Sequence, residues 1–160
     1  MLSLGQERIE SLNFKFFFPK DLWQLEDNQQ VGKKEIWIYK RNFLIDEAER
    51  AIVPNFAIIS EEIETDINVI EYSAFVRTQV KFNGEKVVSR QTGEISLKKA
   101  VGYIGNYTDK NDILHRIYVI HALYDGKGIQ IIGDITDSVN DQMHEEMMGI
   151  LKSIEYKKKK

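Results

Sequence analysis

Three histidines are the side chains of this sequence best suited to a metal site. His115 and His121 lie six residues apart in an apolar segment, which places them on one face of a strand but about 20 Å from each other. They therefore cannot ligate the same ion. His144 begins a His-Glu-Glu-Met-Met run, and Met148 stands where a zinc-protease helix needs its second histidine. We expect no metal site, and an exposed helical position for His144.

Polar residues from Asp134 onward recur at the spacing of a calcium-binding loop. They are Asp134, Thr136, Ser138, Asn140 and Glu145. The glycine that such a loop requires at its sixth position is Val139, which belongs to an apolar helical stripe. The favoured interpretation is that Asp137, Ser138 and Asp141 cap a helix and meet the positive end of its dipole.

An acid–base site built on a single histidine is the enzymatic alternative. In this hypothesis a hydrolase, or another enzyme acting on small molecules, uses His121 or His115 with a carboxylate such as Asp134. No serine-hydrolase elbow is present, and Gly126-x-Gly128 lacks the third glycine of a nucleotide-binding loop. A pocket joining such a pair to a nucleophile or water would favour the enzyme, and a histidine packed among apolar side chains would not.

Aromatic residues on the expected strands suggest a binding surface instead. The candidate ligand- or partner-binding residues are Trp37, Tyr39, Tyr103, Tyr107, Arg116 and His121. One sheet face carrying such rings could form a concave surface for a peptide or an apolar ligand. The competing interpretation is a core filled with large side chains. We predict a non-enzymatic binding module that holds a protein or peptide partner on a sheet face or rim, without a cofactor.

Composition favours one soluble globular domain over residues 1–160. The chain is 42% hydrophobic and 29% charged, and it contains no cysteine, which excludes disulfides and thiolate chemistry. Net charge is −3, and without the lysine tail at 157–160 the chain has 18 basic against 25 acidic residues. A surface for nucleic-acid phosphates is therefore not expected.

The ends of the chain carry little predicted structure. Residues 1–12 are expected to form an N-terminal arm, residues 13–156 the folded sandwich, and residues 157–160 a flexible tail. No apolar run is long enough for a transmembrane helix, so membrane insertion is not expected. Residues 1–7 lack the basic start and apolar core of a signal peptide. We expect a cytoplasmic protein if this chain is complete, and an exported one if an N-terminal signal has been removed.

The clearest structural pattern lies between residues 113 and 154. Apolar segments at Ile113–Tyr124 and Ile129–Ile135 flank an Asp-Gly-Lys-Gly turn and predict two adjacent antiparallel strands, the first of them central. A helical stripe follows, formed by Val139, Met143, Met147, Ile150, Leu151 and Ile154. This helix is expected to pack on the hairpin.

Weaker patterns complete the fold. Alternation predicts strands at 14–18, 35–40, 56–63 and 101–107, with a polar turn at 27–32 and 42–53 left open. A helix is expected at 66–80, with Asn68 and Glu71 as a capping box, and Asn83-Gly84 predicts a hairpin before an edge strand. The fold class is therefore α+β, with an antiparallel sheet of about six strands sandwiched by helices and the C-terminal helix packed on the sheet.

Three segments resemble the PsbP-like superfamily. They are Phe18-Pro19-Lys20-Asp21-Leu22-Trp23, Pro54-Asn55-Phe56-Ala57-Ile58 and Ile150-Leu151-Lys152-Ser153-Ile154, and the similarity covers residues 13–156. The resemblance implies an antiparallel sheet between helices and a role in binding, as in extrinsic photosystem II subunits, a Ran-binding import factor, bacterial exported proteins and secretion chaperones. It supplies no catalytic residues. The family's acidic Ran-binding patch and its metal ligands have no counterpart placed here.

Overall fold

Twelve strands and two α-helices make up residues 3–64 and 66–158, the part of the chain that the computed structural model describes. The strands are β1 Leu4–Ile9, β2 Phe14–Pro19, β3 Trp23–Val31, β4 Lys34–Arg41, β5 Leu44–Ile45, β6 Ala51–Ile52, β7 Asn55–Glu62, β8 Asn83–Val88, β9 Ala100–Thr108, β10 Leu114–Tyr124, β11 Lys127–Thr136 and β12 Glu155–Tyr156. The helices are α1 Val69–Arg77 and α2 Asn140–Ser153. The α+β class is as predicted.

The main sheet has seven antiparallel strands in the order β3-β4-β7-β11-β10-β9-β8, rather than about six. The added strand is β3, whose second half was predicted to be a turn at residues 27–32. Because β3 is an edge strand paired only with β4, its side chains after Trp23 face solvent and need no apolar alternation. The turn itself is at Gly32, where φ is +61°.

The Asn83-Gly84 pair does not form a hairpin turn. It begins β8, the opposite edge strand, which pairs with β9 and has an irregular register between Gly84 and Lys86. The chain reaches this edge from α1, so no strand precedes Asn83 for a hairpin to join. Helix α1 is also shorter than predicted, and Val80 lies beyond its end.

One face of the main sheet carries the core. It is covered by α2 and by a second sheet, ordered β1-β2-β12. All six apolar residues predicted to form the buried stripe of the last helix are at most 2% exposed. The predicted side-chain caps of that helix are not formed: the Ser138 hydroxyl donates to the Asp46 carboxylate and the N-cap position is Val139. Asp141 does lie in the first turn of α2, near the positive end of the helix dipole, as predicted.

Residues 4–12 are part of the folded structure instead of the expected arm. β1 pairs with β2 along its length, and a short 3-10 helix at Glu10–Leu12 buries Leu12. At the other end the Lys157 amide donates to the Asn13 carbonyl at 2.8 Å. Residues 1–2 and 159–160, which include half of the lysine tail expected to be flexible, lie outside the described residues.

Helix α1 covers only part of the opposite face. It contacts β9 and β10, and its buried residues are Tyr72, Ser73 and Val76. The predicted capping box is present, with Asn68 and Glu71 each bonding the other's backbone amide. Among the residues described, neither helix has the length and apolar character needed to cross a bilayer.

Candidate functional site

Strands β4, β7 and β11 leave an apolar surface beside α1, which we call the apolar strip. It consists of Ile36, Ile38, Ala57, Ile59 and Ile132. Ile36 pairs with Ile59, Ile38 with Ala57, and Ala57 with Ile132, so the five side chains lie next to one another on one face.

The exposure of the strip differs sharply from that of the same strands' other face. Trp37, Ile58 and Ile131, which alternate with strip residues, are 6%, 0% and 0% exposed. Every strip residue is instead half-buried. Alternation of two apolar sets along a strand predicts a sheet covered on both faces, yet the described structure covers this half of the second face only in part.

The surroundings of the strip add one large apolar side chain and mixed charges. Phe75 on α1 is 58% exposed and borders a cavity of about 510 Å³ that Tyr72 and Glu61 also line. Lys34 pairs with Glu61 across β4 and β7 at this end. A long apolar surface with a charged margin has the form of a protein-binding surface.

Trp37 and Tyr39 were candidate binding residues, but the structure places both in the core. Tyr39 is 1% exposed and stacks on Phe56, with ring centroids 4.7 Å apart. They lie on the face opposite to Tyr103, Tyr107 and His121, so the candidate aromatic residues do not form one surface. The alternation along β4 is as predicted, with Ile36 and Ile38 on one face and Trp37 and Tyr39 on the other. The sequence does not indicate which of these two apolar sets faces the core.

His121 is a buried member of a small polar cluster. Its Nδ1 lies 2.7 Å from the Ser73 hydroxyl, which lies 2.8 Å from the Tyr103 hydroxyl. Burial, followed by the charge of Arg77, lowers the pKa of His121 to about 4, so the ring is neutral at pH 7. The Arg77 guanidinium lies over the Phe82 and Tyr103 rings at 4.1 and 4.7 Å.

This cluster lacks most of what a hydrolytic site requires. A serine hydroxyl within reach of a histidine is the start of a nucleophile–base pair. Among residues 3–64 and 66–158, however, no carboxylate bonds the His121 ring, and the gap beside it leaves no room for a water molecule. The surrounding side chains are mainly apolar: Val76, Val80, Phe82, Val119 and Ile132. The His121–Ser73–Tyr103 cluster therefore packs α1 against the sheet.

His115 lies between two carboxylates. Its Nδ1 is 2.7 Å from Asp134 and its Nε2 is 2.8 Å from Asp109, and the Tyr107 ring stacks on it at 4.7 Å. Burial alone would lower the pKa of His115, but the hydrogen bonds and charges of the two carboxylates together raise it. Burial, and then the hydrogen bond to Asp134, raise the pKa of Tyr107.

The sequence suggested Asp134 as a partner of His115, but it did not suggest Asp109. Asp109 lies in the loop before β10 and also accepts the Asn111 and Ile113 amides. With both ring nitrogens donating to carboxylates, His115 has no lone pair to accept a proton from a substrate. Within the described residues no histidine and acidic side chains form a grouping that could hold a metal ion.

The remaining candidate, Arg116, lies on the core-side face of β10 near its end. Its guanidinium is 3.2 Å from Glu85 on the edge strand β8, and the side chain is half-buried. On the same strand face the Tyr118 hydroxyl lies 2.8 Å from Nδ1 of His144, which is therefore half-buried rather than exposed. Both contacts join elements of the fold.

No family model matches the sequence, and no curated protein matches it closely enough to be counted as a relative. Solved structures do match. The Ran-binding protein Mog1p of Saccharomyces cerevisiae superposes with a TM-score of 0.59 at 7% identity over 98% of this chain and 96% of Mog1p. LpqN of Mycobacterium tuberculosis, involved in cell envelope biogenesis, gives 0.58 at 12% identity over 96% of this chain and 90% of LpqN. Cyanobacterial PsbP from Synechocystis gives 0.58 at 14% identity over 98% and 94%.

The protein has the PsbP-like fold. The resemblance stated from the three sequence segments is thus confirmed for the fold. At 7% to 14% identity the comparison carries the architecture alone, and the partners of these proteins do not transfer with it. Within this fold the apolar strip is an apolar sheet surface that the described residues leave half-buried.

Proposed function

We propose that this protein is a non-enzymatic binding module that holds a protein or peptide partner on the apolar strip. The observation that carries the proposal is the half-burial of Ile36, Ile38, Ala57, Ile59 and Ile132 on a sheet whose other face is fully covered. Covering apolar side chains lowers the free energy by about 25 cal/mol per Å² of surface removed from water. A bound partner buries the apolar strip, which α1 does not cover.

The shape of the strip favours a polypeptide over a small molecule. Its residues are spread over three neighbouring strands, which makes a broad surface with α1 standing along one side. Small-molecule sites are concave and bury most of the ligand. An amphipathic helix or an extended segment laid beside α1 would contact all three strands.

The name of one solved neighbour is in keeping with this proposal. Mog1p is described as a Ran-binding protein, so a chain of this fold can act by holding another protein. The support is for the kind of function, and it does not extend to the identity of the partner.

The enzymatic alternative has less physical support. His121 is buried next to Ser73 without a bonded carboxylate, and both nitrogens of His115 already have partners. A general base needs a free lone pair within reach of the proton it removes. Neither histidine offers one to a molecule arriving from solvent.

The proposal is tested by placing a long charged side chain in the centre of the strip. Ala57→Arg projects from the middle of the surface and leaves all four of its isoleucines in place, and Ala48→Arg is the matched control in the exposed turn after β5. Each protein is immobilised, and bound proteins from the producing organism are quantified. We expect Ala57→Arg to lose the partners that the wild type and Ala48→Arg retain. Retention of every partner by Ala57→Arg, with its circular dichroism unchanged, rejects the strip as the binding surface.

A further inference from the structure

A second surface, at the β10–β11 turn, is rich in hydrogen-bond donors. Two adjoining cavities of about 590 and about 450 Å³ share Lys98, Lys99, Tyr124 and Asp125, and Lys127 lines the larger one. We call this surface the basic groove, defined by Lys98, Lys99, Tyr124 and Lys127. It has no residue in common with the apolar strip.

Tyr124 fixes the backbone of the two lysines and has a donor to spare. Its hydroxyl oxygen accepts the amide hydrogens of Lys98 at 3.1 Å and of Lys99 at 3.2 Å. The Lys99 carbonyl in turn accepts the Leu123 amide at 3.1 Å. A hydroxyl that accepts two hydrogen bonds still carries its own hydrogen, and no acceptor for it is found among residues 3–64 and 66–158.

The lysines add further donors without internal partners. Lys98 and Lys99 are exposed, and within the described chain no carboxylate lies within ion-pair distance of either ammonium group. Lys127 donates to the Ser11 carbonyl at 3.2 Å, which leaves two of its three N–H groups. Exposed donors and positive charges are suited to a ligand that presents carboxylates. The carboxylate of Glu155, which lines the smaller cavity, is already paired with Lys15 at 3.0 Å.

The apolar residues and the carboxylates that line the larger cavity indicate which class of ligand fits the basic groove. Ile63, Ile67, Val69 and Leu123 line the larger cavity and can accept an apolar side chain. Two carboxylates also line it, and the whole chain carries a net charge of −3. Such a surface repels a continuous run of phosphates, which disfavours nucleic acid. An acidic peptide can place its charges at the lysines and an apolar side chain on the floor.

We propose that the basic groove binds an acidic peptide segment that carries a large apolar side chain. The carboxylates accept hydrogen bonds from Lys98, Lys99 and the Tyr124 hydroxyl, and the apolar side chain lies against Leu123. This site goes beyond the proposed function, because it uses a separate surface and selects for charge. Loss of binding at the strip leaves it unaffected, and the reverse also holds.

The probe for the test is an acetylated tripeptide with one phenylalanine flanked on each side by one acidic residue, so that it carries few charges and no run of them. It is titrated into the isotopically labelled full chain and followed by amide chemical shifts. We expect shifts at residues 98–99, 123–124 and 127, and affinity roughly tenfold weaker in Lys98→Glu/Lys99→Glu. The matched charge reversal, Lys20→Glu/Lys110→Glu, changes two exposed lysines outside the groove and should retain wild-type affinity.

A second peptide with alanine in place of phenylalanine tests the apolar floor and should bind roughly tenfold more weakly. Equal loss of affinity in the two double variants, or shifts outside the groove, overturns the proposal, because either result shows general charge attraction. Inorganic phosphate and phosphatidylserine vesicles are the remaining arms. Tighter lysine-dependent binding of either one than of the phenylalanine peptide also overturns it.

Discussion

His115 shows at the scale of one residue how a chemically capable side chain is held in a structural role. Its two ring nitrogens join Asp134 on β11 to Asp109 in the loop before β10. The same Asp109 carboxylate accepts two amide hydrogens of its own loop. The imidazolium therefore links the loop to the sheet through these two hydrogen bonds, and both bonds to carboxylates require the ring to be protonated.

The first prediction concerns how the stabilisation from the His115 contacts with Asp134 and Asp109 depends on pH. The pKa of His115 is raised above the ordinary value of 6.5, so its stabilisation is complete below that pH and is lost as pH rises through the folded-state pKa. At the acid end the hydrogen bond from His115, followed by that from the Ile113 amide, lowers the pKa of Asp109 below its usual 3.8. The Asp109 contribution is present above that value and is lost as pH falls through the folded-state pKa.

We therefore expect His115→Gln to cost about 1 kcal/mol of unfolding free energy near pH 6, allowing for solvent screening of a partly exposed group, and much less near pH 9. Urea unfolding at the two pH values measures the difference. His144→Gln is the control, since the structure pairs His144 with the neutral Tyr118 hydroxyl. An equal cost of His115→Gln at both pH values would show that its charge is not involved.

At the scale of elements, the position of α1 determines how much of the sheet remains open. The Tyr72 ring lies directly over Gly128, where an added Cβ would overlap the ring. Burial, and then the charge of Glu61, raise the pKa of Tyr72 to about 12, in keeping with its closed position. The absence of a side chain at Gly128 lets the Tyr72 ring of α1 pack directly against β11.

The second prediction follows from that contact. Gly128→Ala should destabilise the protein by about 1–3 kcal/mol, because the Tyr72 ring and α1 must move to make room. Gly149→Ala is the matched control: it lies on the exposed side of α2 with open space at its Cβ, and should stabilise by up to about 1 kcal/mol. Thermal unfolding of both variants checks the pair. A neutral Gly128→Ala would mean that Tyr72 does not seat the helix.

The sequence predicts well those elements in which burial of one or both faces gives the residues a regular apolar periodicity. The stripe from Val139 to Ile154 exists because one side of α2 is buried, and the β10–β11 hairpin is apolar on both faces. Strand β3 was missed because only its first residue, Trp23, is buried, so pairing with β4 defines it. β1 was missed for a similar reason, since its place depends on a partner strand that local alternation does not reveal.

At the scale of the whole molecule, the sequence predicted a binding surface on a sheet face from side chains that the structure distributes over both faces of the sheet. Large aromatic residues such as Trp37 and Tyr39 were favoured, and they fill the core. Ile36 and Ile38 alternate with them, and the sequence contains no signal for which set the second layer covers. That choice depends on where α2 and the β1-β2-β12 sheet pack, which is a property of the assembled fold.

Photo-crosslinking from inside the strip, in cells that produce the protein, shows whether a partner lies on this surface. A photoreactive phenylalanine analogue replaces Ile38, and in a parallel strain it replaces Phe43, which is 62% exposed and lies outside the strip. We expect a discrete protein adduct at position 38 that is absent at position 43 and is lost when Ala57→Arg is added. Equal adducts at both positions, or an adduct at position 38 that survives Ala57→Arg, would contradict it.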